Sequence, residues 1–600
     1  MFGLPIRSSM VCWVFLVMAG GCATRAPNPD GSWVVTSRLG MVASDSRFAS
    51  EAGAEMLRRG GNAIDAAVAT SMALGVTRPY STGLGGGGFM ILRVAATGRV
   101  VALDFRERAP AASTRDMFAP VTLSVPEGHR PSEVGGLAVG VPGLLAGQMD
   151  LLHRWGRIRV AGDGPPDQQP PALAVILAPA IRLAEAGFPV DQHYVDACHD
   201  VHEKFKTDPT LKQRAGYVWR THLRSGRLPA VGDALVQPRL AETLERIAEQ
   251  GAGVFYRGEI ATALVETVRQ AGGIMTREDL RNYTPNPREA IRTTYRGHEI
   301  IGFPPPSSGG IAVAEALNIL ETVDLRAIGA AERAKAAHWI VEALKHAFAD
   351  RARWLGDPEF VDVPMRQLVE KGYGERLARN INPDGVAEID YYGSRRRDAT
   401  APPTAAGTDD AGTSHFCVVD RGGNCVVWTE TINTSFGSLL AVDDYGIILN
   451  NEMDDFAAEP DKPNAYGLVQ SAYNAVAPGK RPLSSMSPTI VLRNGSPMLL
   501  VGGSGGPRII SAVLQTIVNV VDFQMPIESA VRALRVHHQW RPETLHFDRD
   551  PAADLVDGLA LRGHSLSELR RSAVVQAIHI GTDGITGVSD PRKGGRPAGL

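Results

Sequence analysis

A mixed α and β fold is predicted by three features of the sequence. Stretches with apolar residues at helical spacing fill much of its first part. Short apolar runs bounded by glycine-rich turns prevail from Phe416 onward. One further amphipathic stretch, "RIISAVLQTIVNVVDF", returns to helical spacing near the end. The 600 residues are ample for a large buried core.

The elements follow in chain order. Arg7 precedes the apolar run "MVCWVFLVMAGG", which is too short to span a bilayer and has the form of an export signal. Small residues directly before Cys22 are similar to a lipoprotein cleavage site, so residues 1–22 are read as a signal peptide with Cys22 as the lipidated residue. The expected placement is periplasmic, with an anchor through Cys22. After a polar joint to Trp33 the body begins. Residues 48–76 carry apolar side chains at helical spacing, broken into two helices by Gly60-Gly61-Asn62. "TGLGGGGFMILRV" is a glycine turn entering a strand, and "RVVALDFRERAP" holds another strand. Residues 162–172, "GDGPPDQQPPA", are a proline-rich surface insertion. Helical patterns then dominate through residue 355. A small and polar linker, "DATAPPTAAGTDDA", leads abruptly into "GTSHFCVVD", a turn "DRGGN" and a second strand "CVVWTETI". There is no internal repeat and no coiled-coil heptad.

Composition excludes several function classes. A formal net charge of -3 gives no reason to expect nucleic acid as a partner. The five cysteines form no C-x-x-C pair, which argues against a zinc site and a disulfide framework. Cys417 and Cys425 lie on neighbouring strands of the hairpin, where a disulfide and two buried thiols are both open readings. His415, His537 and His538 lack the helical spacing of a metal pair and read as structural.

Two places offer nucleophilic chemistry. Gly502-Gly503-Ser504-Gly505-Gly506 matches G-x-S-x-G between an apolar strand and an apolar helix, the context of a serine elbow, with Asp548 and His564 downstream in suitable order. The same glycines would also present backbone N–H groups at a helix start, ready for an oxyanion. The other place is Thr413. A threonine hydroxyl needs a base beside it, and cutting the chain before Thr413 would make its own α-amino group that base. Such an amine titrates near ~7.7 to 8.0, which suits proton transfer at neutral pH.

A series of longer motifs bears on that choice: "GGNAIDAAVA", "GLGGGGFM", "LDFRERAP", "APAIRLAEAGFPV", "PPPSSGGI", "ADRARWLGDP", "TSHFCVVD", "NTSFGSLL", "ILNNEMDDF", "NAYGLV", "KRPLSSMSPTIV", "GGSGGPRII" and "HHQW". Through them, in this order, the chain from about Leu39 to its end resembles the γ-glutamyltranspeptidases, which are N-terminal nucleophile hydrolases. The resemblance implies an α+β fold, a four-layer αββα sandwich. It implies self-cleavage between Gly412 and Thr413 into a large subunit, 23–412, and a small catalytic subunit, 413–600, that stay together. It implies γ-glutamyl transfer from glutathione and similar compounds to water, amino acids or peptides, with no metal and no organic cofactor. Thr413 matches the nucleophile and Thr431 a threonine that supports it and its processing. Arg106 matches the arginine that grips the substrate α-carboxylate, aided by Ser484 and Ser485. Asn433, Glu452 and Asp455 match the groups that bind the α-ammonium. Gly505 and Gly506 match the oxyanion donors, and Tyr466 a residue of the lid. The other readings are a Ser504 hydrolase, a glutaryl acylase, and an uncleaved lipoprotein that binds γ-glutamyl ligands. An intact set of ammonium acceptors favours γ-glutamyl over glutaryl substrates, which carry no amine. The insertion and the polar linker are particular to this chain.

Overall fold

The computed structural model describes residues 33–118, 130–161, 165, 169–394, 412–458, 463–568 and 572–600. The expected export signal with Cys22, the linker 395–411 and most of the proline-rich insertion lie outside these residues.

Two antiparallel sheets of seven strands each form the centre. One runs, edge to edge, through Ala598–Gly599, Met41–Ser44, Gly412–Val419, Cys425–Asn433, Gly87–Arg93, Val100–Asp104 and Asn286–Arg288. The other runs through Val34–Ser37, Gly584–Ser589, Val574–Gly581, Ser496–Ser504, Thr489–Arg493, His298–Gly302 and Ile291–Tyr295. Helices Arg47–Arg58 and Ala63–Thr77 cover the outer face of the first sheet. Helices Gly309–Leu320, Arg333–Trp354 and Arg508–Val521 cover the second. This is the predicted αββα sandwich.

Strand alternation explains the layering. Successive side chains of a strand point to opposite faces. Phe416, Val418, Val426 and Trp428 therefore join the apolar cluster under the first helices, while Cys417, Val419 and Val427 pack toward Ile490 and Leu499 of the facing sheet. By the same period Thr413 and His415 face the second sheet. The sheets approach so closely there that a Cβ on Gly502 would lie 2.2 Å from the His415 ring.

Local signals account for the first helices. Gly60 takes φ +86, and Asn62 caps the helix Ala63–Thr77 by accepting from the N–H groups of Ile64 and Asp65 while Asp65 accepts from the Asn62 N–H. Elsewhere the structure departs from the sequence reading. The strand expected from Phe416 begins at Gly412. The helical stretch 324–355 divides into Leu325–Ala331 and Arg333–Trp354, with Glu332 extended between them. The hairpin Ile291–Tyr295 with His298–Gly302 falls where helical pattern was expected, turning at Arg296 and Gly297, both at positive φ. Cys417 stands opposite Val427 and Cys425 opposite Val419, and both are buried free thiols. Among the described residues no helix is long and apolar enough to cross a membrane.

Candidate active site

Gly412 and Thr413 open the strand Gly412–Val419, and the neighbouring strand places Thr431 directly opposite Thr413. The two hydroxyl oxygens stand 3.0 Å apart. Thr431 Oγ1 donates to the Gly412 carbonyl at 2.6 Å and accepts from the Asn433 N–H at 2.8 Å. With the Thr431 proton committed to Gly412, the Thr413 hydroxyl is the donor of the pair. The proton path thus runs from Thr413 through Thr431 to the carbonyl just before Thr413. A shift of register between Gly412 and Thr413 distorts the ladder at this peptide.

A small cavity of about 20 Å³ opens beside this pair, lined by Arg106, Thr413, Asn433, Glu452, Asp455 and Tyr466, together with Ser484, Ser485 and Gly506. That volume holds about one water and no amino acid. Arg106 follows the strand Val100–Asp104 and is completely buried. Its guanidinium meets Glu452 with one terminal nitrogen and Asp455 with the other, and donates from Nε to the Pro482 carbonyl at 3.2 Å. Burial pushes the Arg106 pKa down, but the carboxylates of Glu452 and Asp455 outweigh it and hold the group protonated. Glu452 and Asp455 lie on one 3₁₀ turn, where burial raises both carboxyls and Arg106 opposes it. Asn433 takes φ +76 at the strand end, which asparagine tolerates better than most residues, and its Nδ2 donates to the Asn451 carbonyl at 2.9 Å. Tyr466 closes the cavity: its hydroxyl donates to the Asn433 carbonyl at 2.6 Å, and its ring covers Gly506 so tightly that a Cβ there would lie 2.8 Å from Cδ1. Acidic and basic groups are thus set side by side next to a hydroxyl.

The strand Ser496–Ser504 delivers Gly505 and Gly506, at φ +123 and +58, to the start of the helix Arg508–Val521. Both take positive φ just before a helix N-terminus, a setting that suits an anion. Ser504 does not form an elbow. It is the last ladder residue, paired with Val574, and its backbone φ is negative. The two downstream partners are committed elsewhere: His564 to His338 at 2.8 Å, and Asp548 to Arg592 at 2.7 Å. The structure therefore gathers the expected residues around one cavity, except Gly505, which precedes Gly506 and does not line it, and leaves Ser504 without a triad.

Some residues of this neighbourhood escaped the sequence reading. Lys593 Nζ donates to the Thr413 carbonyl at 3.1 Å and pairs with Asp45 at 2.7 Å, while the Ser414 hydroxyl donates to the same Asp45 carboxylate at 3.1 Å. This buried cluster clamps the first two residues after Gly412. Its only local signal was the charge pattern of "DPRKGG". Arg351 was missed as well: it donates to the Ser485 hydroxyl at 3.3 Å.

The histidines serve structure. His415 bonds Thr429 and Cys417, His537 bonds Ser511, and the ring of His538 accepts from the Trp540 N–H. Among the described residues, His338, Glu342 and His564 are the group close enough to hold a metal. Lys345 lies 2.9 Å from Glu342, and Tyr392 donates to the same carboxylate. A cation placed there would face a buried ammonium, so the group reads as a closed polar network.

Comparison with known proteins agrees with this geometry. The chain is 39% identical to the glutathione hydrolase proenzyme of Escherichia coli strain K12, over 96% of both chains. Its fold is similar to the crystal structure of cephalosporin acylase from Bacillus halodurans, with TM-score 0.80 and 27% identity, covering 97% of this chain and 99% of that one. It is also similar to the Helicobacter pylori gamma-glutamyltranspeptidase structure, with TM-score 0.52 and 37% identity, covering 59% of this chain and 95% of that one. The family model for gamma-glutamyltranspeptidase matches residues 49–600, and the chain belongs to that family.

Proposed function

We propose that this chain is the precursor of a γ-glutamyltransferase and glutathione hydrolase that cuts itself before Thr413. The observation that carries the reading is the hydrogen-bonded line from Thr413 through Thr431 to the Gly412 carbonyl, beside a pocket with one arginine and two carboxylates. In the first step Thr413 Oγ1 attacks the Gly412 carbonyl carbon. Its proton passes to Thr431, whose own proton reaches the Gly412 oxygen. As the peptide C–N bond breaks, the proton on the Gly412 oxygen passes to the leaving nitrogen, the carbonyl re-forms as the ester between Gly412 and the Thr413 oxygen, and the α-amino group is freed. Water then hydrolyses the ester, leaving Gly412 with a carboxylate and Thr413 as a new N-terminus. The relatives named as proenzymes support such a precursor.

The freed α-amino group is then the base for the Thr413 hydroxyl. The hydroxyl attacks the γ-amide carbonyl of a bound substrate, and the N–H groups of Gly505 and Gly506 hold the oxyanion. The amino group returns the proton to the leaving amine. Water, an amino acid or a peptide resolves the γ-glutamyl ester. Arg106, Ser484 and Ser485 hold the α-carboxylate, and Asn433, Glu452 and Asp455 the α-ammonium. Before substrate arrives, Arg106 is paired with Glu452 and Asp455, so the receptor stores its opposite charges against each other. Tyr466 must swing aside for entry, because the closed cavity admits no amino acid.

The cephalosporin acylase among the structural neighbours bears on the glutaryl acylase reading drawn from the sequence. Glu452 and Asp455 at the pocket wall favour an amine-bearing substrate over that reading. Export to the periplasm with a lipid on Cys22 belongs to the same proposal and rests on the leader sequence alone.

Two variants test the nucleophile. Thr413→Ala should remain one uncut chain without turnover of a γ-glutamyl anilide, and Ser504→Ala should be cut and active. The opposite pattern would restore the serine reading. An uncut wild-type chain that binds γ-glutamyl compounds without turnover would favour the binding-protein reading.

A further inference from the structure

Arg351 stands near the end of the helix Arg333–Trp354 and is 2% exposed. Its Nε donates to the Ser308 hydroxyl at 3.0 Å and its Nη2 to the Ser485 hydroxyl at 3.3 Å. The Ser308 hydroxyl donates in turn to the Ser484 carbonyl at 2.7 Å. Nη1 is buried without a hydrogen-bond partner. Among the described residues no carboxylate lies within ion-pair distance of it. The adjacent Asp350 is committed to Tyr373 and Ser394. A buried guanidinium without a counter-ion is costly, and such a cost is retained where the charge has a use.

The charges around the pocket show what that use is. Arg106 has both terminal nitrogens on Glu452 and Asp455. Glu107 lies 3.7 Å from the same guanidinium, so three buried acids surround one arginine, an unfavourable setting for an incoming carboxylate. Arg351 adds a second cation beside that group, and Asp455 is the acid whose charge reaches it. Its hydrogen bond also fixes the role of Ser485. A hydroxyl that accepts from a guanidinium keeps its own proton free to donate. Ser485 lines the cavity, and Ser484 beside it likewise accepts, from the Met486 N–H at 3.2 Å.

We propose that Arg351 is the second cation of the α-carboxylate site, positioning Ser485 as a donor and selecting substrates with a free α-carboxylate over those with a neutral group there. The inference rests on the γ-glutamyl reading of this pocket. Arg351 acts through Ser485 and through its field, so it is a positioning and specificity residue.

The test compares two donors, a γ-glutamyl anilide and its α-carboxamide analogue, on wild-type enzyme, Arg351→Gln and Arg351→Lys. Wild type should favour the carboxylate donor. Arg351→Gln should lower that preference in kcat/KM at least ~10-fold, chiefly through KM, with the carboxamide donor changed less than ~2-fold. Arg351→Lys should keep part of the preference, because it keeps the charge and loses the fork. Equal losses on both donors, or an unchanged preference, would overturn the proposal. If Arg351→Gln does not fold, Arg351→Lys reads the same ratio, and an unchanged ratio there overturns it too. Wild-type enzyme that turns over neither donor would instead sink the γ-glutamyl reading itself.

Discussion

Thr413 and Thr431 meet hydroxyl to hydroxyl at 3.0 Å because their strands pair them in register. The second hydroxyl also holds the Gly412 carbonyl. One side chain therefore receives the proton of the attacking oxygen and polarises the bond under attack. Thr431→Val keeps the shape and removes both functions. Its cleavage, followed on a denaturing gel after purification, should be at least ~10-fold slower than wild type, since general acid–base help contributes about 10²–10⁴-fold. Thr431→Ser should cut at near wild-type rate. Normal cleavage of Thr431→Val would remove Thr431 from the mechanism.

Arg106 is enclosed by Glu452 and Asp455, so its removal leaves two buried acids facing each other. Removing a partner from a desolvated charge pair costs ~2–5 kcal/mol, and each ~1.4 kcal/mol is tenfold. Arg106→Ala should lower kcat/KM for a γ-glutamyl anilide at least ~10-fold, and Arg106→Lys should not fully rescue it, because an ammonium lacks the bidentate fork. Cleavage before Thr413 should persist in both, since Arg106 contacts neither Gly412 nor Thr431. Wild-type kcat/KM in Arg106→Ala would assign the arginine a purely structural role.

Glu430 gives a pH-dependent expectation. It is buried on the strand beside Ser414, and burial raises its pKa to about 8, only partly offset by hydrogen bonds such as that from the Ser71 hydroxyl. A carboxyl raised in the folded state ionises first in the unfolded chain, so stability is lost as pH climbs from the ordinary value of 4.5 toward 8. Glu430→Gln has no such proton. Thermal melts should show its Tm advantage over wild type growing between about pH 5 and pH 8, corresponding to a few kcal/mol at the upper end. A constant difference across that range would mean that Glu430 is not held neutral.

Much of the fold was legible because its signals are local. Glycines broke the first helix pair, and the run from Phe416 to Ile432 held two apolar stretches around a glycine turn. The hairpin at Ile291 to Gly302 was hidden by composition: Thr293 puts a polar residue at the buried position between Ile291 and Tyr295, and only the Arg296-Gly297 turn marked it. The pocket residues were readable through long ordered motifs, since Arg106, Glu452 and Asp455 each look singly like surface charges. Asp45, Arg351 and Lys593 could not be read. Their partners at the site, Thr413, Ser414 and Ser485, lie more than 100 residues away, so their meaning exists only once both sheets are assembled.

The central claim is that the chain opens between Gly412 and Thr413 and that the new amine is the base. N-terminal sequencing of the smaller fragment of purified wild-type protein, paired with a γ-glutamyl anilide assay of the same sample, tests it most directly. The account predicts that the fragment begins Thr413-Ser414-His415 and that turnover rises in step with its appearance. An intact chain with full turnover, or an active fragment with any other first residue, would contradict it.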